Sequence, residues 1–282
     1  MKKLILGSVL VLSSIATAQA ATQTYEFDML GGSYSSDTAY TELNFSDTQG
    51  GNRITATVTA WADTDNVQGD GWGDNTIRQA ELYKWWSNGW GVVNEDEVSG
   101  DNPGHSFDNA RCDDGGYIAS YWSHGRKHYY CTDGDDIEYD YDFVLIEFSE
   151  SVELSGLNLG WDWGSTADVT VVALGDSAPS LAGSTWSDYT GYDVFNQTIN
   201  DSDGYYQLNT NTESTYWLVG AYSHIFGDCF DEADDGFKLE GIQAMADTSP
   251  SGRPTQPVSE PASLAIFGLG LVGLMMRRRR NQ

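Results

Sequence analysis

The chain has 282 residues and a formal net charge of −28, with 42 acidic residues against 14 basic ones. Binding to phosphate requires clustered lysines and arginines, so this composition excludes nucleic acid as a partner and disfavours anionic lipid surfaces. An acidic surface favours solubility and the binding of cations instead. The length suits one large β domain or two small ones.

Residues 1–20 have the order of a secretory signal peptide. Two lysines precede an apolar run, and Ala18 and Ala20 supply the small side chains that signal peptidase recognises. An ordinary N-terminal helix, the alternative, does not need these three blocks in this order. The sequence therefore predicts export through the Sec translocon, with cleavage by signal peptidase after Ala20.

The following part of the chain shows the alternation of half-buried strands and no convincing amphipathic helix. In residues 53–61, small and β-branched apolar residues alternate with threonines, which is the period-two pattern of a strand. Residues 143–148 are nearly all apolar, which predicts a central strand covered on both faces. Residues 149–151 predict a tight turn and thus a hairpin. Further strands are predicted at residues 23–28, 79–85, 89–93, 142–148, 152–159, 168–174, 215–222 and 236–245.

Many short strands separated by Gly, Asp and Ser, without helices, predict an all-β fold. We expect a jelly-roll-like β-sandwich over residues 21–245. Within it, residues 176–212 predict one or two edge strands in long loops. Residues 246–258 contain three prolines and small polar residues, which cannot build a core, so they predict an extended linker.

Three cysteines in an exported chain predict one disulfide and one remaining cysteine. Cys112 and Cys131 are the natural pair, because closing the loop between them contributes about 3 kcal/mol in the chain-entropy model. Pairing of Cys229 with either of them stays open. A zinc site that joins both cysteines to His124 and His128 is the alternative, although the spacing is not that of a known zinc finger.

Residues 105–109 contain the best candidate for a binding site. His105, Asp108 and Asn109 combine an imidazole, a carboxylate and an amide, which suit a cation or a polar ligand. The same residue types also form tight turns and caps, so a structural role is the alternative.

Asp-rich segments at residues 63–74, 133–136 and 228–235 indicate Ca²⁺, which takes about six to eight oxygen ligands. None of them fits the EF-hand pattern. Asp234 and Asp235 precede the last predicted strand and resemble the acidic loop that supports a structural Ca²⁺ in jelly-roll domains. We therefore expect a structural Ca²⁺ and no other cofactor, with a solvated acidic surface as the alternative for most of these carboxylates.

The chain is rich in aromatic residues, with 10 Trp, 16 Tyr and 10 Phe. Neighbouring residues of a strand lie on opposite faces, so one of Trp85 and Trp86 is expected to point away from the core. Exposed rings stack on sugars, which makes Trp86 and Trp90 candidates for carbohydrate binding. Packing in a large core is the alternative explanation of these rings.

Glu138, Asp140 and Asp142 would share one face of an extended strand, and glycoside hydrolysis needs paired carboxylates. The intervening residues do not match the patterns of β-sandwich glycanases, and the chain has no Gly-x-Ser-x-Gly nucleophile elbow. We therefore expect a protein without enzymatic activity, with a glycan hydrolase as the weaker alternative.

Residues 259–282 form a signal of three parts. Ser259, Glu260 and Pro261 begin it, and residues 262–276 are apolar and uncharged. Four basic residues follow, namely Arg277, Arg278, Arg279 and Arg280. The apolar stretch is shorter than the roughly twenty residues of an ordinary transmembrane helix. By the positive-inside rule the arginines keep their end in the cytoplasm, so we expect a hydrophobic helix inserted transiently in the inner membrane, with the domain outside.

This signal resembles the PEP-CTERM sorting signal in its Ser-Glu-Pro-Ala-Ser-Leu-Ala start, its Gly-rich apolar stretch and its arginine cluster, although Ser259 stands where the motif usually begins with proline. The resemblance implies that an exosortase of a Gram-negative host recognises and removes the signal. It also implies a protein of the cell surface or of the extracellular biofilm matrix, with exported exopolysaccharide as a partner. A carbohydrate-binding module is the alternative function.

Three interior segments are similar to those of a group of exosortase-dependent surface proteins. They are Pro-Gly-His-Ser-Phe-Asp-Asn at residues 103–109, the apolar strand at 142–148 and Leu-Gly-Trp at 159–161. The residues between the first two segments are interpreted as an insertion at about 110–140 that holds Cys112 and Cys131. Without both terminal signals, residues 21–256 carry 8 basic and 41 acidic residues, a net charge of −33.

Overall fold

The computed structural model describes residues 22–63, 76–94, 106–112, 118–124, 126–132, 134, 137–139, 141–162, 166–200, 204–227 and 235–247. These residues form β-strands and two short 3₁₀ helices without any α-helix, which confirms the predicted all-β fold. The 3₁₀ helices are η1 (Trp186–Tyr189) and η2 (His224–Phe226). The strands are β1 (Thr22–Asp28), β2 (Ala39–Tyr40), β3 (Leu43–Gln49), β4 (Asn52–Asp63), β5 (Ile77–Lys84), β6 (Trp90–Val93), β7 (Phe107–Asp108), β8 (Arg111–Cys112), β9 (Ile118–Ser123), β10 (Arg126–Cys131), β11 (Ile137–Glu138), β12 (Asp142–Asp162), β13 (Thr166–Gly175), β14 (Asp193–Asn200), β15 (Tyr206–Gln207), β16 (Glu213–Ala221) and β17 (Gly236–Asp247).

The long strand β12 pairs with different neighbours along its length. Its first half pairs with β4 and β16, so that Phe143 lies opposite both Trp61 and Gly220. Its second half pairs with β17, where Leu157 lies opposite Ile242. The strand order along the main sheet is β1-β17-β6-β5-β4-β12-β16-β13-β14, and the additional pairing of β17 with β12 closes part of this path.

The predicted turn at residues 149–151, and with it the predicted hairpin, is wrong. The chain continues through this segment as β12, with a shift of register against β16 between Glu147 and Val152. The backbone N–H of Thr55 donates to Ser149 Oγ at 3.0 Å, so a serine side chain accepts a hydrogen bond from β4 at the irregularity. Such an irregularity bends a strand, and β12 changes its neighbours at this point.

Side chains from most strands of the main sheet meet in one apolar core. The rings of Phe27 on β1 and Phe148 on β12 lie 5.6 Å apart between centroids. The apolar positions of β4 are all fully buried, as their alternation predicts: Ile54, Ala56, Val58 and Ala60.

A second apolar cluster covers the outer face of the β12–β16–β13 sheet. Phe143 and Leu218 are fully buried there beneath Leu181 and Trp186, and the rings of Phe143 and Trp186 lie 4.5 Å apart. The residues around η1 therefore cover this face of the sheet. The prediction that residues 143–148 form a central strand is confirmed, since β4 and β16 pair with it on its two sides. The predicted cover on both faces holds only at its start, because Leu145 is half-buried and Glu147 is exposed.

The two ends of the domain lie side by side. Residues 21–247 form one compact unit, in which β1 pairs with β17 and Thr22 lies opposite Asp247. β17 thus extends past the predicted domain end at residue 245. None of the helices in the described part of the chain is long and apolar enough to span a bilayer. The linker predicted at residues 246–258 starts too early, because Ala246 and Asp247 still belong to β17. The predicted signal peptide at residues 1–20, the rest of the predicted linker at 248–258 and the predicted helix at 262–276 lie outside the described residues.

Lys84 at the end of β5 is a buried cation. Its Nζ donates to the carbonyl oxygens of Leu30 at 2.8 Å and Tyr34 at 3.3 Å, and it lies 5.7 Å from the centroid of the Trp90 ring. A lysine is buried only when such partners replace its water. Lys84 therefore fixes the loop that follows β1.

We expect Lys84→Met to lower the free energy of unfolding by about 2 kcal/mol, because two carbonyls lose a charged donor. Urea denaturation followed by tryptophan fluorescence measures this loss. Arg53→Met is the matched control, since Arg53 is exposed, and should change stability by less than about 0.5 kcal/mol. Equal effects of the two substitutions would contradict the structural role of Lys84.

An acidic surface lies around Tyr205, beside β1 and β3. Partial burial, together with the carboxylates of Glu26, Asp28 and Asp47, raises the pKa of Tyr205 from 10.0 to about 12. The folded state therefore holds the phenolic proton more tightly than the unfolded chain does. This contribution to stability is complete below pH 10 and is lost as the pH rises through about 12.

We expect Tyr205→Phe to lose less stability than the wild type between pH 10 and pH 12, because phenylalanine has no proton to lose. Urea denaturation at a series of pH values measures the difference. High salt should reduce it, since the carboxylates are then screened. Parallel pH profiles at low salt would contradict the raised pKa.

Candidate functional site

Two separately predicted candidates come together at the start of β17. β7 pairs with β17 so that Asp108 lies opposite Gly236, which brings Asn109 next to Asp235. Asn109 Nδ2 donates to Asp235 Oδ2 at 3.1 Å and to the carbonyl oxygen of Tyr222 at 3.0 Å. These residues, more than 100 positions apart in the sequence, form one buried polar cluster.

The hydrogen bonds of this cluster connect four strands of the domain. Asp235 Oδ1 accepts the backbone N–H of Asp168 at 2.9 Å, and Ser106 Oγ lies 3.4 Å from Asp108 Oδ2. Asp108, Asn109 and Asp235 are all buried, and among the described residues none donates a hydrogen bond to the buried Oδ1 of Asn109. These hydrogen bonds connect the ends of β7, β13, β16 and β17, which is suited to a structural role. His105 lies outside the described residues.

The calcium prediction concerned Asp234 and Asp235, of which Asp234 lies outside the described residues. Both carboxylate oxygens of Asp235 accept N–H groups of the protein, and these hydrogen bonds account for the burial of its side chain. Across the described ranges, no three His, Cys, Asp or Glu residues are grouped so as to hold a metal ion. A structural Ca²⁺ in the acidic segments stays a prediction.

The predicted disulfide between Cys112 and Cys131 is present, with Cα atoms 5.6 Å apart. This bond excludes the alternative zinc site, because disulfide sulfurs are not thiolate ligands. It closes the base of a hairpin made of β9 and β10, which we call the arm (residues 118–131). A small apolar cluster surrounds the bond and consists of Ala110, Cys112, Ile118 and Cys131, with Tyr129 and Ile137 packed against it.

Trp85 and Trp86 lie in the turn between β5 and β6. The sequence placed Trp85 within a strand, but β5 ends at Lys84, so both rings are exposed, by 40% and 67%. Trp86 adopts a positive φ of 51°, which is uncommon for a bulky residue. The Nζ of Lys238 lies 5.7 Å from the Trp85 ring and 5.4 Å from the Trp161 ring, so a buried cation holds Trp85 in place.

Trp90, the other predicted sugar-binding ring, is a core residue. It is fully buried, and its indole N–H donates to the carbonyl oxygen of Met29 at 2.7 Å. A ring with no exposed face has no surface for a sugar. The core alternative therefore applies to Trp90, and Trp86 remains the exposed candidate.

The arm carries an aromatic face that was not predicted from the sequence. Tyr121 lies opposite His128, and their rings stack 5.2 Å apart with an angle of 18°. Tyr130 lies on the same face, 5.9 Å from Tyr121, and these tyrosines are 46% and 53% exposed, respectively. The Ser-His-Gly turn between two aromatic runs was the available signal, because a hairpin around it places alternate rings on one face.

The three carboxylates considered for glycoside hydrolysis do not share a strand. β11 ends at Glu138, and β12 begins at Asp142, which is fully buried and accepts Asn94 Nδ2 at 3.4 Å. Asp140 lies outside the described residues. The alternation of these residues along one extended strand is therefore absent.

Comparison with known proteins identifies the C-terminal signal. The family model of the PEP-CTERM protein-sorting motif matches residues 257–280. No curated protein and no solved structure matches the chain. The match covers Ser259, Glu260, Pro261 and the four arginines that the sequence analysis had assigned to sorting.

Proposed function

We propose that this exported, exosortase-dependent protein, which carries a PEP-CTERM protein-sorting motif at residues 257–280, works without enzymatic activity at the cell surface or in the extracellular matrix. The observation that carries the proposal is the sorting motif, which directs the chain through an inner-membrane step to the surface. In this account the folded domain is the part that acts outside the cell, in association with a biofilm or an exopolysaccharide.

The arrangement of the chain ends supports this proposal. Thr22 and Asp247 lie opposite each other, so the expected cleavage site after Ala20 and the sorting motif attach to the same end of the domain. β17 runs from Asp247 to Gly236, a span of about 35 Å in a strand of this length. The polar cluster at Asp235 therefore lies at the opposite end of β17 from Asp247.

Charge is a second support. Residues 21–256 carry a net charge of −33, and such a charge keeps a protein soluble and resists non-specific contact with other anionic surfaces. A domain that is released at the surface, or held there by its C-terminus, benefits from both properties.

Fractionation of the producing cells tests the proposal. The wild-type domain should be recovered from the cell surface or the matrix, and a variant without residues 257–280 should lose that location. Deletion of residues 248–256 is the matched control, because it shortens the chain before the motif and leaves the motif intact. An unchanged location of the variant without the motif would contradict the proposal.

The absence of enzymatic activity is tested separately. Incubation of residues 21–256 with polysaccharides should release no reducing ends. Release that disappears in Glu138→Gln would overturn this part of the proposal and favour a glycan hydrolase.

Carbohydrate binding is the second candidate function, and the exposure of Trp86 favours it. Its ring is 67% exposed, and its backbone has a positive φ in the turn between β5 and β6. Affinity electrophoresis with soluble polysaccharides tests this candidate. Trp86→Ala should reduce retardation, whereas Tyr192→Ala, which removes another exposed ring beside η1, should not. Equal retardation of both variants and the wild type would exclude Trp86 as a sugar-binding residue.

A further inference from the structure

Two tryptophan rings lie against one buried lysine, where β12 pairs with the start of β17. Lys238 on β17 is directly opposite Trp161 on β12, and its Nζ lies 5.4 Å from the centroid of the Trp161 ring. The same Nζ lies 5.7 Å from the centroid of the Trp85 ring, in the turn after β5. Lys238 is only 4% exposed, whereas Trp85 is 40% exposed and Trp161 is half-buried. The protein therefore covers the ammonium group, while both rings reach the surface.

The turn that carries Trp85 has an unusual backbone and a fixed position. Trp86 adopts a φ of 51°, and backbone conformations of this kind in bulky residues cluster at ligand sites. The backbone N–H of Trp85 donates to the carbonyl oxygen of Gly89 at 3.0 Å. A Cβ at Gly89 would lie 2.9 Å from the carbonyl oxygen of Leu239, so the turn packs directly on β17. The conformation of Trp86 therefore points to a ligand site independently of the burial of Lys238.

The pairing of β12 with β17 is irregular in the same place. The register shifts between Asn158 and Leu159, and it shifts again between Leu159 and Trp161. The residues left without an opposite partner are Glu240 on β17 and Gly160 on β12. Bulges are over-represented next to active sites, because an extra residue changes the direction in which a side chain points. The two irregularities therefore set the direction of the Glu240 side chain.

These irregularities place a carboxylate and an amide beside Trp161. A Cβ at Gly160 would lie 2.3 Å from Cγ of Glu240, so the Glu240 side chain occupies the space that a side chain at position 160 would take. Glu240 Oε2 accepts a hydrogen bond from Asn158 Nδ2 at 3.3 Å, and both residues are half-buried. A carboxylate has about four lone-pair sites, and an amide has both donors and acceptors. This pair can therefore form hydrogen bonds with several hydroxyl groups.

We call this surface the tryptophan site and define it by Trp85, Asn158, Trp161, Lys238 and Glu240. Aromatic rings pack on the apolar C–H face of a sugar, and the carboxylate and amide suit its hydroxyl groups. Binding sites for small ligands combine aromatic surface with a few polar groups that fix orientation in this way. Because Lys238 holds both rings before a ligand arrives, less entropy is lost on binding.

The charge of the domain decides between possible ligands. Residues 21–256 carry a net charge of −33, and the site itself contains the carboxylate of Glu240. An acidic polysaccharide or an anionic lipid surface is therefore repelled. A second copy of the chain carries the same negative charge and is repelled as well. A neutral polymer rich in hydroxyl groups is the class that complements this site.

We propose that the tryptophan site binds a neutral polysaccharide. Its sugar rings pack against Trp85 and the exposed part of Trp161, and its hydroxyl groups form hydrogen bonds with Asn158 and Glu240. This proposal rests on carbohydrate binding, the second candidate function, and deepens it. It extends the binding surface from the exposed ring of Trp86 onto β12 and β17, and it specifies an uncharged polymer.

The experiment uses purified residues 21–256 in affinity electrophoresis and calorimetry. Dextran, galactomannan and hydroxyethyl cellulose are the neutral probes, and alginate is the acidic one. At least one neutral polymer should bind, with little dependence on salt, and alginate should not. Trp85→Ala should weaken the binding about tenfold, because one aromatic contact is lost. Glu240→Gln should weaken it about fivefold, because a hydrogen bond to a charged acceptor is stronger than one to a neutral amide.

Two matched controls accompany these variants. Tyr192→Ala removes an exposed ring elsewhere. Glu147→Gln changes an exposed carboxylate in the first half of β12, which accepts a hydrogen bond from the hydroxyl of Tyr216 at 3.1 Å. Neither should change the affinity for the neutral polymer. Thermal unfolding of each variant verifies that the domain stays folded.

Other outcomes overturn the proposal. Binding that is lost in Trp86→Ala but unchanged in Trp85→Ala and Glu240→Gln confines the sugar to the turn, which leaves carbohydrate binding as a function. Binding of alginate as tight as that of the neutral polymers contradicts the choice of an uncharged ligand. Binding to phosphatidylcholine vesicles that depends on Trp85, without polysaccharide binding, assigns the site to a lipid surface instead. No binding of any neutral polymer also overturns the proposal, whereas the fractionation result decides the surface location independently.

Discussion

Replacing Gly220 by alanine is expected to destabilise the domain by roughly 3 kcal/mol, at the upper end of what an added methyl group costs in a packed core. A Cβ at this position would lie only 2.2 Å from the carbonyl oxygen of Asp142 and 2.6 Å from Cδ1 of Phe143. The first of these atoms belongs to the backbone of β12 and cannot turn away. The methyl group therefore forces β16 and β12 apart.

The displaced pairing lies at the centre of the fold. Gly220 is opposite Phe143, whose ring contacts Trp186 and Phe226 in the second apolar cluster. A shift of β12 would therefore reduce packing on the outer face as well as in the sheet. Urea denaturation should show a lower midpoint with an unchanged slope, because the same surface is exposed on unfolding.

Gly191→Ala is the matched control for Gly220→Ala. A Cβ at Gly191 meets no heavy atom within 4 Å, so this substitution should change stability by less than about 0.5 kcal/mol. Equal stability of the two alanine variants would show that the strands do not approach as closely as the structure has them.

Removing the disulfide by Cys112→Ser with Cys131→Ser is expected to lower the stability of the arm by about 3 kcal/mol. The cysteines are separated by 19 positions, and the apolar cluster around them contains few side chains. Such a small cluster cannot hold a two-stranded hairpin without a cross-link, because isolated hairpins are at best marginally stable in water.

Limited proteolysis followed by mass spectrometry measures this effect. The serine variant should be cleaved between residues 112 and 131 under conditions that leave the oxidised protein intact. Cys229→Ser is the control, since it removes the third cysteine and keeps the disulfide. Resistance of the serine variant equal to that of the wild type would show that the arm does not depend on the bond.

Local patterns predicted those parts of the fold that depend on local sequence. The alternation in β4 identified its buried face, and the apolar run from Phe143 to Phe148 identified a central strand. Each of these signals lies within a single strand, and a period of two is independent of the partner strand.

Long-range pairing explains what the sequence did not predict. Trp90 is buried because β6 pairs with β17, with Leu239 opposite it, and no pattern around residue 90 indicates that partner. The contact of Asn109 with Asp235 has the same origin. Ser149 was predicted to lie in a turn because it is polar. Its hydroxyl instead accepts a hydrogen bond from the backbone of β4 at an irregularity within β12.

The candidate binding surfaces also differ in whether local sequence or strand pairing determines them. Trp86 was identified as an exposed ring from sequence alone, but the aromatic face of the arm requires the register of β9 and β10, which pairs Tyr121 with His128. The sorting motif could be identified from the sequence alone, because its three parts are contiguous and do not depend on tertiary structure.

The central claim is that the chain is exported and processed at both ends, and the intact mass of the protein isolated from its own cells tests this most directly. The account predicts a mature form that begins at Ala21 and lacks Arg277 to Arg280. A surface form that retains Arg280, or one that still begins with Met1 and Lys2, would contradict it.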